Sequence, residues 1–162
     1  VTFILRLPQA DDAEWITEAC QDRHVLRYTL VPRPYTIEHA HRFIDDHNGE
    51  LHVRVIAEAD GFGVGMCSIH GVDAATGEGT AGYWVAPWAR RRGAATSAMR
   101  LLAAGARSIA GLTHLTLSIV ATNRASRGVA EKAGFTLTDD SSRTCIDGGG
   151  QGRAVVYRLE IA

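Results

Sequence analysis

Apolar residues recur along this chain in two rhythms. Over Leu51–Glu58 they alternate: Leu51, Val53 and Val55 face one way, and His52, Arg54 and Ile56 the other, the period of a strand. Asp60-Gly61 then reads as a hairpin turn and Phe62–Val72 as the returning strand. Ala74–Gly79 reads as a loop, and Thr80–Val85 as a further strand antiparallel to its predecessor. The rhythm then changes, because Ala95, Ala98, Met99, Leu102, Ala106 and Ile109 form one stripe at helical period. Gly105 lies inside that helix at a cost of about 1 kcal/mol, which close packing would justify. Gly111 is the expected C′ residue. Leu115, Leu117 and Ile119 restore alternation over Thr113–Val120, so the strand–helix–strand order implies a parallel, right-handed crossover.

The ends of the chain follow the same logic. Thr2–Leu7 is a short strand ended by Pro8. Asp11, with Glu14 three residues on, offers a capping pattern for a helix whose apolar face is Trp15, Ile16, Ala19 and Cys20. Arg23–Pro34 reads as irregular. Thr36 caps a second helix with Ile37, Ala40, Phe43, Ile44 and His47 at helical spacing, ended by Asn48-Gly49. Asn123 opens a short helix that Gly134 ends. Phe135–Thr138 and Ala154–Ile161 are the final strands, separated by a loop that includes the glycine-rich Asp147–Gly152. The order β-α-α-β-β-β-α-β-α-β-β predicts an α+β (mixed α/β) chain, a mixed sheet of about seven strands flanked by about four helices.

Composition narrows the class. With 162 residues, 46% of them apolar and 22% charged, the chain fits a single soluble domain spanning 1–162. A net charge of −1 argues against a general nucleic-acid binder. No apolar run approaches the ~18 residues of a membrane span, and no signal segment opens the chain. Cys20, Cys67 and Cys145 are odd in number and widely spaced, as expected of reduced thiols in a cytoplasmic protein. His39-x-His41 is not a metal pair, because residues two apart on a helix point to different sides, and no zinc-like cluster occurs.

The charge is locally uneven, and this points to chemistry. Arg90, Arg91 and Arg92 follow the apolar strand Ala81–Val85 and precede Gly93, Ala94, Ala95 and Thr96 at the start of the long helix. Unpaired N–H groups, the helix dipole, small residues and arginines together are what an anion site needs. The same stretch also reads as a basic loop capping an ordinary strand-to-helix turn. A Walker loop is absent, and Gly77-x-Gly79-x-x-Gly82 leads into a strand rather than opening a helix, so it does not read as a dinucleotide site.

Two motifs carry a resemblance to the GNAT superfamily of N-acetyltransferases, in its RimJ/RimL-like branch. Arg90-x-x-Gly93-x-Ala95 follows Val85-Ala86-Pro87, within Gly82-Tyr83-Trp84-Val85-Ala86-Pro87. Later comes Asn123-x-x-Ser126-x-x-Val129-Ala130-Glu131-Lys132-x-Gly134-Phe135. The resemblance runs from Thr2 to Ile161 and implies a GNAT-like fold with a mostly antiparallel sheet. It implies acetyl transfer from acetyl-CoA to a primary amine, a protein N-terminus or a small-molecule amine, by direct attack and without a metal. It also implies that the pyrophosphate lies on the N–H groups of Arg91–Thr96, with the side chains of Arg90, Arg91 and Arg92 adding charge, that pantetheine pairs near Val85, and that a backbone N–H near Val85 or Ala86 polarises the thioester. Asn123 and Arg127 would be further cofactor contacts, and Arg124 and Arg127 candidates for the 3′-phosphate.

Many GNATs place a tyrosine just before the later Glu-Lys; this chain has Ala130 there, and Ser126 is the implied substitute, assisted by Asn123. The base position two residues before the motif glycine is Thr80. Glu78, on the same strand face, and His70 are the candidates. Tyr28, Arg33 and Tyr35 are expected acceptor contacts, and Asp45, Asp46, Glu50 and Asp73 hint at an acidic groove for cationic amines. The missing tyrosine leaves open a non-catalytic acyl-CoA-binding sensor. A nucleotide-binding regulatory domain is the third reading. Either a monomer or a homodimer fits the sequence.

Overall fold

The computed structural model describes residues 2–47 and 52–161. Asn48-Gly49, Glu50 and Leu51, read above as a helix end, a groove acid and a strand start, lie outside the described residues.

Among the described residues, eight strands and five α-helices follow one another as β1 (Phe3–Arg6), α1 (Ala13–Ala19), α2 (Arg23–Tyr28), α3 (Ile37–His47), β2 (Val53–Glu58), β3 (Gly63–Asp73), β4 (Glu78–Val85), α4 (Ala94–Ala106), β5 (His114–Val120), α5 (Arg124–Ala133), β6 (Thr136–Leu137), β7 (Thr144–Asp147) and β8 (Gly150–Glu160). The sheet order is β1-β2-β3-β4-β5-β8-β6, with β7 paired to β8. Only β4–β5 is parallel, across the α4 crossover. Alternation sorts the side chains to two cores. Ile56, Cys67, Ile69, Leu115, Leu117 and Ile119 pack under α4 and α5. Val55, Ala57, Met66 and Ala86 pack under α1 and α3.

Three local readings are corrected. Arg23–Tyr28 is helical, because the Asp22 carboxylate accepts from the backbone N–H groups of His24 and Val25 and so caps α2. The first helix is introduced not by Asp11 and Glu14 but by a 3-10 turn, Ala10–Asp12. Buried Asp12 accepts from the Gln9 N–H, the Trp15 indole and both arms of Arg6, which is why it and not Asp11 organises this corner. The glycine-rich loop near the C-terminus is a hairpin: Gly148 and Gly149 take φ of 63° and 90°, as a tight primed turn requires, and β7 and β8 pair across it.

The long helix stops at Ala106, short of Gly111. Gly105 has no packing reason, since a Cβ there would meet nothing within 4 Å. Gly105→Ala is therefore expected to stabilise the protein by about 0.4–1 kcal/mol, read as a thermal midpoint higher by a few degrees.

Candidate active site

The cleft exists because two neighbouring strands stop pairing. β4 and β5 are in register only at Glu78–His114, Gly79–Leu115 and Thr80–Thr116. Both strands run on, to Val85 and Val120, without further pairing to each other. The gap between them opens a cleft of about 1550 Å³. The Ala86 N–H donates to Val64 O at 2.8 Å on β3. Antiparallel alternation then turns the N–H groups of Val85 and Tyr83 away from β3, toward the gap. The cleft-facing donor at the end of β4 is thus Val85 and not Ala86.

Beyond β4 the chain enters α4. Gly93 precedes the helix at φ 87° with no side-chain cap, and the first intrahelical bond runs from the Ser97 N–H to Gly93 O. The N–H groups of Ala94, Ala95 and Thr96 therefore have no partner within the helix, and all three residues line the cleft. Arg91, at φ 61°, lines it too; this left-handed conformation is costly for a non-glycine residue. Arg124 and Lys132 on α5 add positive charge to the cleft wall.

Arg90 and Arg92 are engaged elsewhere. Arg90 lines the cleft but donates to Asp22 and to Val85 O, tying the loop to α2. Burial raises the Asp22 pKa, and the Arg90 contact and the α2 N–H groups outweigh it, so this carboxyl titrates below its ordinary range. Arg92 lies outside the cleft and pairs with Glu58 at 2.7 Å. Arg127 also lies outside it, held by Tyr157 Oη and Ala121 O at 3.2 Å each. Arg124, the other expected phosphate contact, lines the cleft.

On the α5 side of the gap, Asn123 caps the helix by accepting from the Ser126 N–H at 3.2 Å. The Ser126 and Tyr83 hydroxyls are hydrogen-bonded at 2.8 Å, joining α5 to β4 across the cleft. Burial pushes the Tyr83 pKa up to about 12, so its hydroxyl keeps its proton at neutral pH. The sequence reading passed over Tyr83; its place in Gly82-Tyr83-Trp84, on the strand face turned toward α5, was the available signal.

On the opposite face, His70 lines the cleft beside Gly82, where a Cβ would come within 3.1 Å of the imidazole Cε1. Ser68 Oγ lies 3.4 Å from its Nδ1. Desolvation lowers the His70 pKa, which favours the neutral ring. Glu78 shares that strand face as expected, but it is no cleft residue: Arg143 grips its carboxylate at 2.7 and 2.9 Å, and Thr116 donates to it at 2.9 Å. Arg143 holds Glu78 below the usual carboxylate range, which leaves it a poor base.

Of the three expected acceptor contacts, Tyr28 lines the cleft, Arg33 is exposed outside it, and Tyr35 is buried in the core beneath α1 and α3. Among the described residues no acidic groove is formed. Asp45, Asp46 and Asp73 lie outside the cleft, and no aspartate or glutamate lines it among the described residues. Among those residues no cluster could hold a metal ion, and no helix is long and apolar enough to cross a membrane.

Comparison with known proteins decides the family. Residues 2–136 match the acetyltransferase (GNAT) domain family. The chain belongs to the GNAT acetyltransferases. It is thus an acetyl-CoA-dependent acetyltransferase, and its fold is that of solved GNAT enzymes. RimL, a ribosomal L7/L12 α-N-protein acetyltransferase solved with coenzyme A, superposes at TM-score 0.80 with 14% identity, over 99% of this chain and 94% of that one. Spermidine N-acetyltransferase from Vibrio cholerae, solved with CoA and spermine, gives 0.79 and 14% over 98% and 95%. The microcin C7 self-immunity acetyltransferase MccE, solved with acetyl-CoA and AMP, gives 0.81 and 19% over 98% and 92%. No curated protein sequence matches significantly. The free N–H groups of the α4 first turn, the open space at Gly93 and the unpaired strand edges suit this GNAT enzyme's cosubstrate.

Proposed function

We propose that this GNAT acetyltransferase moves the acetyl group of acetyl-CoA to a primary amine by direct attack. The observation that carries the reading is the cleft's two-sidedness: a neutral imidazole, His70, on one face and a protonated hydroxyl pair, Ser126–Tyr83, on the other. Pyrophosphate lies on the N–H groups of Ala94–Thr96, with Arg91, and Arg124 or Lys132 meets the remaining phosphate. Pantetheine pairs along the open edge of β4. The amine enters from the α2 face, where Tyr28 is a contact.

The chemistry needs a neutral amine, and amines with ordinary pKa values are mostly protonated near pH 7. His70 takes the amine proton as the N–C bond forms. The Val85 N–H steadies the developing oxyanion. As the C–S bond breaks, Ser126 gives its proton to the thiolate and takes one from Tyr83, which is reprotonated by cleft water as His70 releases the amine proton to solvent, so that no tyrosinate remains. Asn123 holds Ser126 in place by capping the same turn.

The test follows free-thiol release from acetyl-CoA across peptide, polyamine and small aromatic amine acceptors. Turnover with any of them is expected. Cofactor binding with no turnover anywhere would favour the acyl-CoA sensor instead. Ser126→Ala should lower kcat by about 10–100-fold, the lower part of the range for lost proton transfer, while acetyl-CoA affinity holds. A wild-type rate in that variant would take Ser126 out of the mechanism.

A further inference from the structure

A glycine inside a strand weakens it, so each one in the cleft wall needs a reason. In β3 and β4 most reasons are plain. A Cβ at Gly63 would meet the Trp15 indole at 2.4 Å, one at Gly65 the Trp84 carbonyl oxygen at 2.5 Å, and one at Gly79 the Leu112 side chain at 2.8 Å. Gly71 takes φ 66° where the register shifts just after His70. Gly82 has neither kind of reason. Its φ is not positive. Among the described residues, the only atoms within 4 Å of a Cβ at Gly82 belong to the His70 ring, Cε1 at 3.1 Å and Nδ1 at 3.8 Å.

That contact runs diagonally across the two strands. The register partner of His70 is Thr80, and the partner of Gly82 is Ser68. Alternation puts all four on one face of the sheet. The imidazole leans past Thr80 to Gly82, and Ser68 Oγ lies 3.4 Å from its Nδ1. The lean decides where the ring stands. Thr80 is the last residue of β4 paired with β5, whereas Gly82 belongs to the stretch that runs on unpaired. A ring seated on Gly82 stands at the gap, and a ring held back at Thr80 would stand over closed sheet.

We infer that Gly82 is a positioning residue for His70: its bare face on β4 seats the imidazole at the gap between β4 and β5. The inference rests on the reading of His70 as the base. Neighbouring positions of one strand then serve the two sides of the proposed proton path. Gly82 seats the base on one face, and Tyr83 reaches Ser126 on the other.

The experiment adds a side chain at position 82 and reads the ring directly. In the unaltered protein, NMR should show a nuclear Overhauser contact between His70 Cε1–H and the Gly82 Cα protons, with the His70 signal identified by its loss in His70→Gln. Gly82→Val should displace that resonance, and Gly82→Ala should displace it less. Valine suits a strand better than glycine, so the thermal midpoint should hold or rise. If Gly82→Val folds too poorly to measure, Gly82→Ala carries the test.

Thiol release from acetyl-CoA is then followed across the same acceptor panel. Gly82→Val should lower kcat by about tenfold or more, the scale of a misplaced reacting group. In the His70→Gln background the same change should cost less than about twofold, because no base is left to misplace. A merely structural role would cost the same in both backgrounds. An unmoved resonance would overturn the inference. So would equal losses in both backgrounds, which would assign the glycine to close approach of the ligand. If the ring moves and kcat holds, the base reading falls and the seating of the ring stands. If no panel amine is turned over, the transferase reading falls and the resonance decides the seating.

Discussion

Gly93→Val is expected to weaken CoA binding by about 100-fold, roughly 2.7 kcal/mol. Two effects combine. Gly93 holds φ 87°, a conformation that a β-branched residue adopts only as an outlier. In addition, a side chain would project into space that holds no protein atom within 4 Å and that the proposed phosphate site needs. Gly111→Val separates the two effects. That residue also has positive φ and open surroundings, but it lies outside the cleft. Both variants should lose stability, and only Gly93→Val should lose CoA in a calorimetric titration. If Gly93→Val folds too poorly to measure, Gly93→Ala takes its place with a smaller loss. An affinity unchanged in a folded variant would move the phosphates elsewhere.

His70→Gln should cut kcat by about 100-fold or more, the range for removal of a positioned base. Glutamine keeps a polar group of similar reach but cannot take up a proton at neutral pH. The pH profile gives the sharper reading. Desolvation lowers the His70 pKa, so the ring stays neutral at pH 7 and charges only on the acid side of its ordinary value of about 6.5. The wild-type rate should accordingly fall as pH drops below about 6.5, and that acid limb should vanish in His70→Gln. A limb that survives the substitution would assign proton uptake to water. Glu78→Gln serves as the comparison. Because Arg143 already grips the carboxylate, its loss should act on stability, through an Arg143 left with Asp140 as its only carboxylate partner among the described residues, more than on the acid limb.

Much of this was legible before any coordinates. Strand alternation over Thr113–Val120, the helical stripe from Ala98 to Ala106 and the Asn123 and Gly134 caps are set by near neighbours, and near neighbours stand adjacent in sequence. The turn proposed to hold the cosubstrate's phosphates was legible for the same reason: its N–H groups, its glycine and its arginines fall within one short stretch. Helix α2 and the β7–β8 hairpin were missed, although Asp22 and Gly148-Gly149 gave local signals. The prolines at 32 and 34 and the general richness in glycine drew the reading toward loop.

The roles of individual charged and polar side chains were another matter. Three adjacent arginines look alike in sequence. Only the fold brings Asp22 to Arg90 and Glu58 to Arg92, leaving Arg91 turned into the cleft. Glu78 and His70 were equal candidates until Arg143, 65 residues from Glu78, closed on one of them. Tyr35 and Tyr28 divided in the same way, one into the core and one onto the cleft wall. The sequence by itself determined every element but α2 and β7, in their order, and the glycine-led turn into α4, because hydrophobic period and capping act over a few residues. Tertiary structure alone decided which charges pair with one another and which face the cleft, because ion pairs form between residues that only folding brings within reach.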